Sequence, residues 1–226
     1  MRRNWLILYI SFTILPATLS PSMLSHSYTY LALGDSYTIG EGLPVAENFP
    51  YQTIQLLRKS GLDFHAAEIV AKTGWTTDEL QKGIDSTLLK KQYDIVTLLI
   101  GVNNQYRGRS VEEYAGEFES LLKQAIHFAG DNPARVFVLS IPDWGVTPFA
   151  EGRDRQQIAD EINQYNTTNK IIAGKYLVHY IDITPGTREA LNNRTLLAAD
   201  NLHPSGKEYG FWAERLATGI EAELHP

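Results

Sequence analysis

The sequence predicts a single α/β domain built as three layers, α/β/α, around a five-stranded, mainly parallel sheet. Two observations lead there. Strand-length apolar runs alternate with helix-length segments from Tyr28 to the end of the chain. The central runs, Ile95-Val96-Thr97-Leu98-Leu99-Ile100 and Val136-Phe137-Val138-Leu139, are almost continuously apolar, as strands covered on both faces must be. With 226 residues, 43% of them hydrophobic, the chain can fill one core but is short for two ordinary domains. No internal repeat, low-complexity tract or linker divides it.

The elements follow in order. A first strand is expected over Tyr28–Leu33, ending at the turn Gly34-Asp35-Ser36-Tyr37, with a helix over Asn48–Ser60. Next come a strand over Phe64–Ala71 and a helix over Thr77–Lys90, then a strand over Tyr93–Ile100 and a helix over Val111–Ala129. The last strands are expected over Arg135–Ile141 and Tyr176–Ile181, separated by a helix over Arg153–Lys175, and the final helix runs from Gly206 to about Leu224. Thr76-Thr77-Asp78-Glu79, Ser110-Val111-Glu112-Glu113 and Ser205-Gly206-Lys207-Glu208 each match the capping box that opens a helix. Ile158, Ile162, Tyr165 and Ile172 recur at helical spacing and are expected to face the sheet.

The N-terminus has a different character. Met1-Arg2-Arg3-Asn4 is positive, Trp5 to Leu15 is almost wholly apolar, and Pro16 to Ser27 is small and polar. That is the order of a secretory signal peptide, and the apolar core falls short of the roughly 20 residues a spanning helix needs. Residues 1–27 are therefore expected to direct export and be removed, with Ser22, Ser25 or Ser27 at the cut and residues 28–226 forming the domain. The alternative is an uncleaved signal anchor that tethers the domain to the membrane. A net charge of −6 with no basic run gives no footprint for nucleic acid. The absence of cysteine excludes disulfides, thiolate metal sites and a lipidated cysteine. No H-E-x-x-H or clustered ligand spacing suggests a metal, and no organic cofactor is implied.

Ligands of parallel sheets bind outside the carboxyl ends of the strands. Ser36 falls there by position, as do the loops opened by Gly74 and Gly101. Near the other end of the chain, Asp200-Asn201-Leu202-His203 sets a carboxylate and an imidazole three residues apart. A serine hydroxyl becomes a nucleophile when a base takes its proton, and the base needs a partner to fix its tautomer. Gly34-Asp35-Ser36-Tyr37, Gly74, Gly101-Val102-Asn103 and Asp200-x-x-His203, in that order, resemble the four blocks of the SGNH, or GDSL-type, hydrolase superfamily. The resemblance runs from about Tyr30 to His203 and implies a flavodoxin-like fold. It also implies an esterase with Ser36 as nucleophile, His203 as base and Asp200 as its orienting carboxylate. The oxyanion would rest on the amides of Ser36 and Gly74 and on the Asn103 side chain. Where many members carry aspartate after that asparagine, this chain has Asn104, which removes a charge near the site.

The resemblance makes the partner a small ester: an acetylated sugar, a short acyl ester or a lysolipid, with no stable membrane insertion after processing. Plainer readings exist for each residue. Ser36 caps a turn in many proteins, Gly74 suits any tight strand-to-helix turn, and Asp200 suits a loop-stabilising role. Asp35 is expected to hold its turn through backbone hydrogen bonds. His26, His65, His127, His179 and His225 lack a spaced partner and read as structural or solvated. In the loop Pro142-Asp143-Trp144-Gly145-Val146-Thr147-Pro148-Phe149, the aromatics Trp144 and Phe149 either pack the loop or line an acyl or sugar site. A phosphate-binding reading of Gly34, Gly40 and Gly42 fits neither G-x-G-x-x-G nor a P-loop and leaves Asp200 and His203 unexplained. A non-catalytic carbohydrate-binding or surface-interaction domain on the same fold is the remaining alternative.

Overall fold

The computed structural model describes Met1 and residues 26–225; the expected signal segment lies almost wholly outside the described residues. Five strands, β1 (Tyr30–Asp35), β2 (Glu68–Lys72), β3 (Ile95–Leu99), β4 (Val136–Leu139) and β5 (His179–Ile181), form one sheet in the order β2-β1-β3-β4-β5. All four pairings are parallel rather than mainly so. β1, β3 and β4 are buried along their whole length, which is why their sequences do not alternate. The helices are α1 (Ser36–Ile39), α2 (Phe49–Lys59), α3 (Thr77–Asp85), α4 (Val102–Tyr106), α5 (Val111–Phe128), α6 (Arg155–Lys175), α7 (Thr184–Arg188) and α8 (Gly206–Leu224). α2 packs on α8 as one layer, and α3, α5 and α6 pack in series as the other. Phe49, Tyr209 and Trp212 join α2 to α8, and Tyr114 against Tyr165 joins α5 to α6 at 4.5 Å between rings. Each such fully buried side chain contributes about 1.5–3 kcal/mol by leaving water, which is what holds a chain with no disulfide.

Several expected boundaries move for identifiable reasons. Tyr28 and Phe64 pair only as an isolated bridge, so the first strand starts at Tyr30 and the second at Glu68. The first strand runs on through Gly34 and Asp35, which brings Ser36 to its very end. Leu177, at φ +58°, turns the chain out of α6 and delays the last strand to His179. The third helix stops at Asp85 because Ser86 and Thr87 turn their hydroxyls onto the Gly83 carbonyl. Of the three capping boxes, the reciprocal bond forms at Thr76, whose amide donates to Glu79 at 2.9 Å. Ser110 and Ser205 do cap their helices. Their glutamates, however, turn elsewhere: Glu113 to Arg109 and Glu208 to the Trp212 indole. Ile158, Ile162, Tyr165 and Ile172 are buried as expected, with Asn169 in the same stripe.

Candidate active site

The turn after β1 is built by Gly34 and Asp35. A Cβ on Gly34 would lie 2.0 Å from Thr38 Oγ1 and 2.6 Å from the Leu99 carbonyl, so only glycine fits where the turn folds back beside β3. Asp35, buried, caps α1 by accepting the Tyr37 amide at 3.0 Å, the structural role expected for it. Its other oxygen faces Asn103 Nδ2 at 3.4 Å. Burial pushes the Asp35 carboxyl up to about 7, while the Tyr37 amide and the Asn103 side chain pull the other way. Ser36 opens the four-residue α1, and Gly40 ends it at φ +75°.

The second arm comes from the far end of the sequence. Ala198 and His203 pair backbones, Leu197 bridges Pro204, and the Ser205 amide donates to the Leu196 carbonyl, so the loop is closed as a small antiparallel turn. Asn201 sits at its tip at φ +58°, a conformation asparagine tolerates. Asp200 divides its oxygens between two tasks. Oδ1 accepts the amides of Leu202 at 2.9 Å and His203 at 3.0 Å, shaping the loop. Oδ2 meets His203 Nδ1 at 2.6 Å. A carboxylate only accepts, so Nδ1 carries the ring proton and Nε2 is left as an acceptor. Nε2 lies 2.9 Å from Ser36 Oγ, across 167 residues of sequence. Burial pushes the Asp200 carboxyl up, but the His203 ring and the two amides outweigh it and hold the group below its ordinary value. The Tyr37 ring packs against the imidazole at 4.8 Å.

Gly74 and Asn103 border the same cleft. Gly74 stands at φ +81°, a conformation that favours glycine. Asn103, in the first turn of α4, donates through Nδ2 to the Trp75 carbonyl at 3.0 Å. Asn104 points the other way and is buried, accepting the Thr77 amide at 3.1 Å and donating to the Thr77 hydroxyl at 2.6 Å. The departure to asparagine is thus hydrogen-bonded at both ends of its amide within the fold and is not among the residues that line the cleft.

Ser36, His203, Gly74 and Asn103 line one open cleft of about 150 Å³, with Tyr37, Val102, Tyr106, Trp144, Phe149 and Leu202 as its apolar wall and Thr73 at its rim. Trp144 is buried and donates to Gln105, whereas Phe149 is 47% exposed, so the 142–149 loop both packs and lines the cleft. Sequence reasoning missed Tyr37, Val102, Tyr106 and Leu202. Each adjoins a residue it had identified or lies one helical turn away, and that adjacency was the available signal. His26, His127 and His179 do have acidic partners, Asp94, Asp131 and Glu223, all away from the cleft. Among the described residues no group of three or more His, Asp or Glu is gathered as a metal site, and no helix is long and apolar enough to cross a membrane.

The family model of the GDSL-like Lipase/Acylhydrolase family matches residues 32–210, a span that includes the whole cleft. The chain belongs to that family. As a GDSL-like protein it is a carboxylic ester hydrolase. Solved structures of similar fold include the psychrotrophic esterase EstA from Pseudoalteromonas sp., at 17% identity over 88% of this chain and 100% of that one, with a TM-score of 0.66. A lipase/acylhydrolase from Enterococcus faecalis matches at 18% identity over 86% and 96%, TM-score 0.66. Axe2, an acetylxylan esterase from Geobacillus stearothermophilus, matches at 19% identity over 90% and 97%, TM-score 0.65. At such identities the likeness speaks for the GDSL fold. No curated protein matches significantly.

Proposed function

We propose that this chain is an exported serine esterase that hydrolyses short acyl esters through an acyl-enzyme. The observation that carries the reading is the continuous relay from Asp200 Oδ2 to His203 Nδ1 at 2.6 Å and from His203 Nε2 to Ser36 Oγ at 2.9 Å. His203 takes the Ser36 proton as Oγ attacks the ester carbonyl, and Asp200 stabilises the imidazolium. The oxyanion rests on the amides of Ser36 and Gly74 and on Asn103 Nδ2, which gives up its long 3.4 Å contact with Asp35 and keeps the 3.0 Å bond to the Trp75 carbonyl. As the tetrahedral species collapses, His203 returns the proton to the leaving alcohol. Water then attacks the acyl-enzyme with His203 again as base, releasing the acid and restoring Ser36.

The cleft's size and lining favour a short acyl group. A volume of about 150 Å³ is on the scale of a cavity that holds a single benzene ring, so the walled part of this open cleft covers a short acyl group and leaves the rest of a longer chain to solvent. The similarity to an enzyme named for acetylxylan agrees with acetyl as the acyl group, and the positive-then-apolar N-terminus supports export, where acetylated glycans are met. The test is a panel of p-nitrophenyl acetate, butyrate and octanoate with wild type and Ser36→Ala. Acetate and butyrate should be turned over and octanoate poorly, and Ser36→Ala should lose at least about 10⁴-fold in kcat while keeping its melting temperature. Wild-type turnover in that variant would remove Ser36 as nucleophile, and a wild type inert on all three would remove short acyl esters as its substrates.

A further inference from the structure

Gly74 is held by hydrogen bonds rather than by packing. An ideal Cβ there would meet only Arg107 Nη2, at 3.8 Å, so no other side chain packs over that face of the glycine, and the turn around it is closed by the Trp75 amide donating to the Lys72 carbonyl at 3.2 Å. The side-chain ties on that turn come from α4 and the residue that ends it. Arg107, the C-cap of α4, donates from Nη2 to the Gly74 carbonyl at 2.6 Å. Its Nη1 meets Glu79 Oε1 at 3.2 Å, and Glu79 Oε2 accepts the Thr76 amide at 2.9 Å. One guanidinium therefore ties both ends of the 74–76 segment. Asn103, four residues earlier on the same helix face, holds the Trp75 carbonyl between them at 3.0 Å.

We infer that Arg107 is a positioning residue for the oxyanion-stabilising loop: by clamping the Gly74 carbonyl it fixes the 74–75 peptide, and through the 72–75 turn that this peptide closes it aims the Gly74 amide into the cleft. The inference rests on the reading above that this amide receives the oxyanion. Donors stabilise a developing charge only when they are fixed beforehand. A glycine with no side chain of its own and little packed over its Cβ face needs an external tie to meet that condition. The pair itself is exposed, 43% for Arg107 and 33% for Glu79, so it adds little to folding, and its loss should fall on rate instead. Lysine is a poor substitute, since a single ammonium cannot present two parallel donors to a carbonyl and a carboxylate.

The experiment compares wild type, Arg107→Ala, Arg107→Lys and Ser36→Ala for hydrolysis of p-nitrophenyl acetate and for affinity toward butylboronic acid. The boronic acid forms a tetrahedral adduct on the serine oxygen and so reports the oxyanion site. Arg107→Ala should lose about 10–100-fold in kcat with KM little changed, the scale expected of a displaced rather than deleted donor. Its boronate affinity should weaken by a similar factor, its melting temperature should hold, and guanidinium at non-denaturing concentration should restore part of the rate. Arg107→Lys should fall between, and it carries the test should the alanine variant not fold. Turnover and boronate affinity within about twofold of wild type would overturn the inference, as would a fall in kcat with unchanged boronate affinity. An inactive Ser36→Ala beside an unslowed Arg107→Ala removes the positioning role alone, whereas an active Ser36→Ala removes the reading of the site as well.

Discussion

Asp35 precedes Ser36 with no exposed surface, and its two oxygens face the Tyr37 amide and the Asn103 side chain. Burial raises its carboxyl from 3.8 to about 7. Between those values the folded protein binds a proton that the unfolded chain has released. The group's contribution to stability is therefore fully present below the unfolded value and is lost as pH rises through about 7, by at most about 4 kcal/mol. Asp35→Asn keeps an acceptor for the Tyr37 amide and removes the titration. In urea unfolding it should gain on wild type between pH 5 and pH 8, and an equal difference at both would detach the effect from Asp35. The same variant should be slower, because an amide bonded to Tyr37 turns a donor rather than an acceptor toward Asn103, so stability and kcat should move in opposite directions. Much of the site at this scale was legible in the sequence: Ser36 from its turn, and Asp200 with His203 from their spacing. Arg107 was not. Its partner Gly74 lies 33 residues away, and nothing in the local run Asn103-Asn104-Gln105-Tyr106-Arg107-Gly108-Arg109 signals which arginine reaches it.

At the scale of elements, the site depends on β1 ending in a turn tight enough to present a side chain while β3 runs alongside. Gly34 is the position where that demand is strictest, since an added methyl would meet both the Thr38 hydroxyl and the Leu99 backbone. Gly34→Ala should cost about 1–3 kcal/mol from overpacking and, by shifting the turn, lower kcat/KM by about 10²-fold. Thermal melts and p-nitrophenyl acetate kinetics check both. Gly116→Ala is the control: it sits inside α5 with nothing within 4 Å of the new Cβ, so it should instead stabilise by about 0.5–1 kcal/mol and leave the rate alone. Elements with a strong internal pattern were readable, as in the continuous apolar runs of β3 and β4 and the isoleucine stripe of α6. Elements set by partners were not. α4 has five residues and no periodicity, and its start follows from Gly101, whose φ of +128° and lack of a side chain admit the Tyr114 ring. The first strand misled for a related reason, because Tyr28 looks like strand but bridges only to Phe64.

For the whole molecule, the strand order β2-β1-β3-β4-β5 decides where chemistry can occur. The chain leaves β1 toward α2 in one layer and leaves β3 toward α5 in the other, so the loops after two adjacent strands diverge and open a crevice. Ser36 and Asn103 enter that crevice from its two sides, and His203 arrives from the loop before α8. Each of these residues lies beyond Tyr28 in the sequence. Among the described residues the ties to the domain start with the exposed His26 ring, 3.1 Å from Asp94, which adds little. The stronger ones follow: the Tyr28 amide donates to the Asp63 carbonyl, the Tyr28 ring stacks on Phe64 at 5.1 Å, and Thr29 bonds Asp94 through both amide and hydroxyl at 2.8 Å. A chain of residues 28–226 should therefore keep the melting temperature and the kcat/KM of the full sequence. One starting at Leu31 loses these ties and the Tyr30–Thr97 hydroxyl pair, and should melt several degrees lower, each degree or two of loss tracking a few tenths of a kcal/mol. Expressed with residues 1–27 in a bacterial host, the protein should appear outside the cytoplasm with its new N-terminus between Ser22 and Tyr28, read by intact mass. A full-length mass in the membrane fraction would instead establish the uncleaved anchor, leaving the catalytic domain's independence to be judged by the truncation alone.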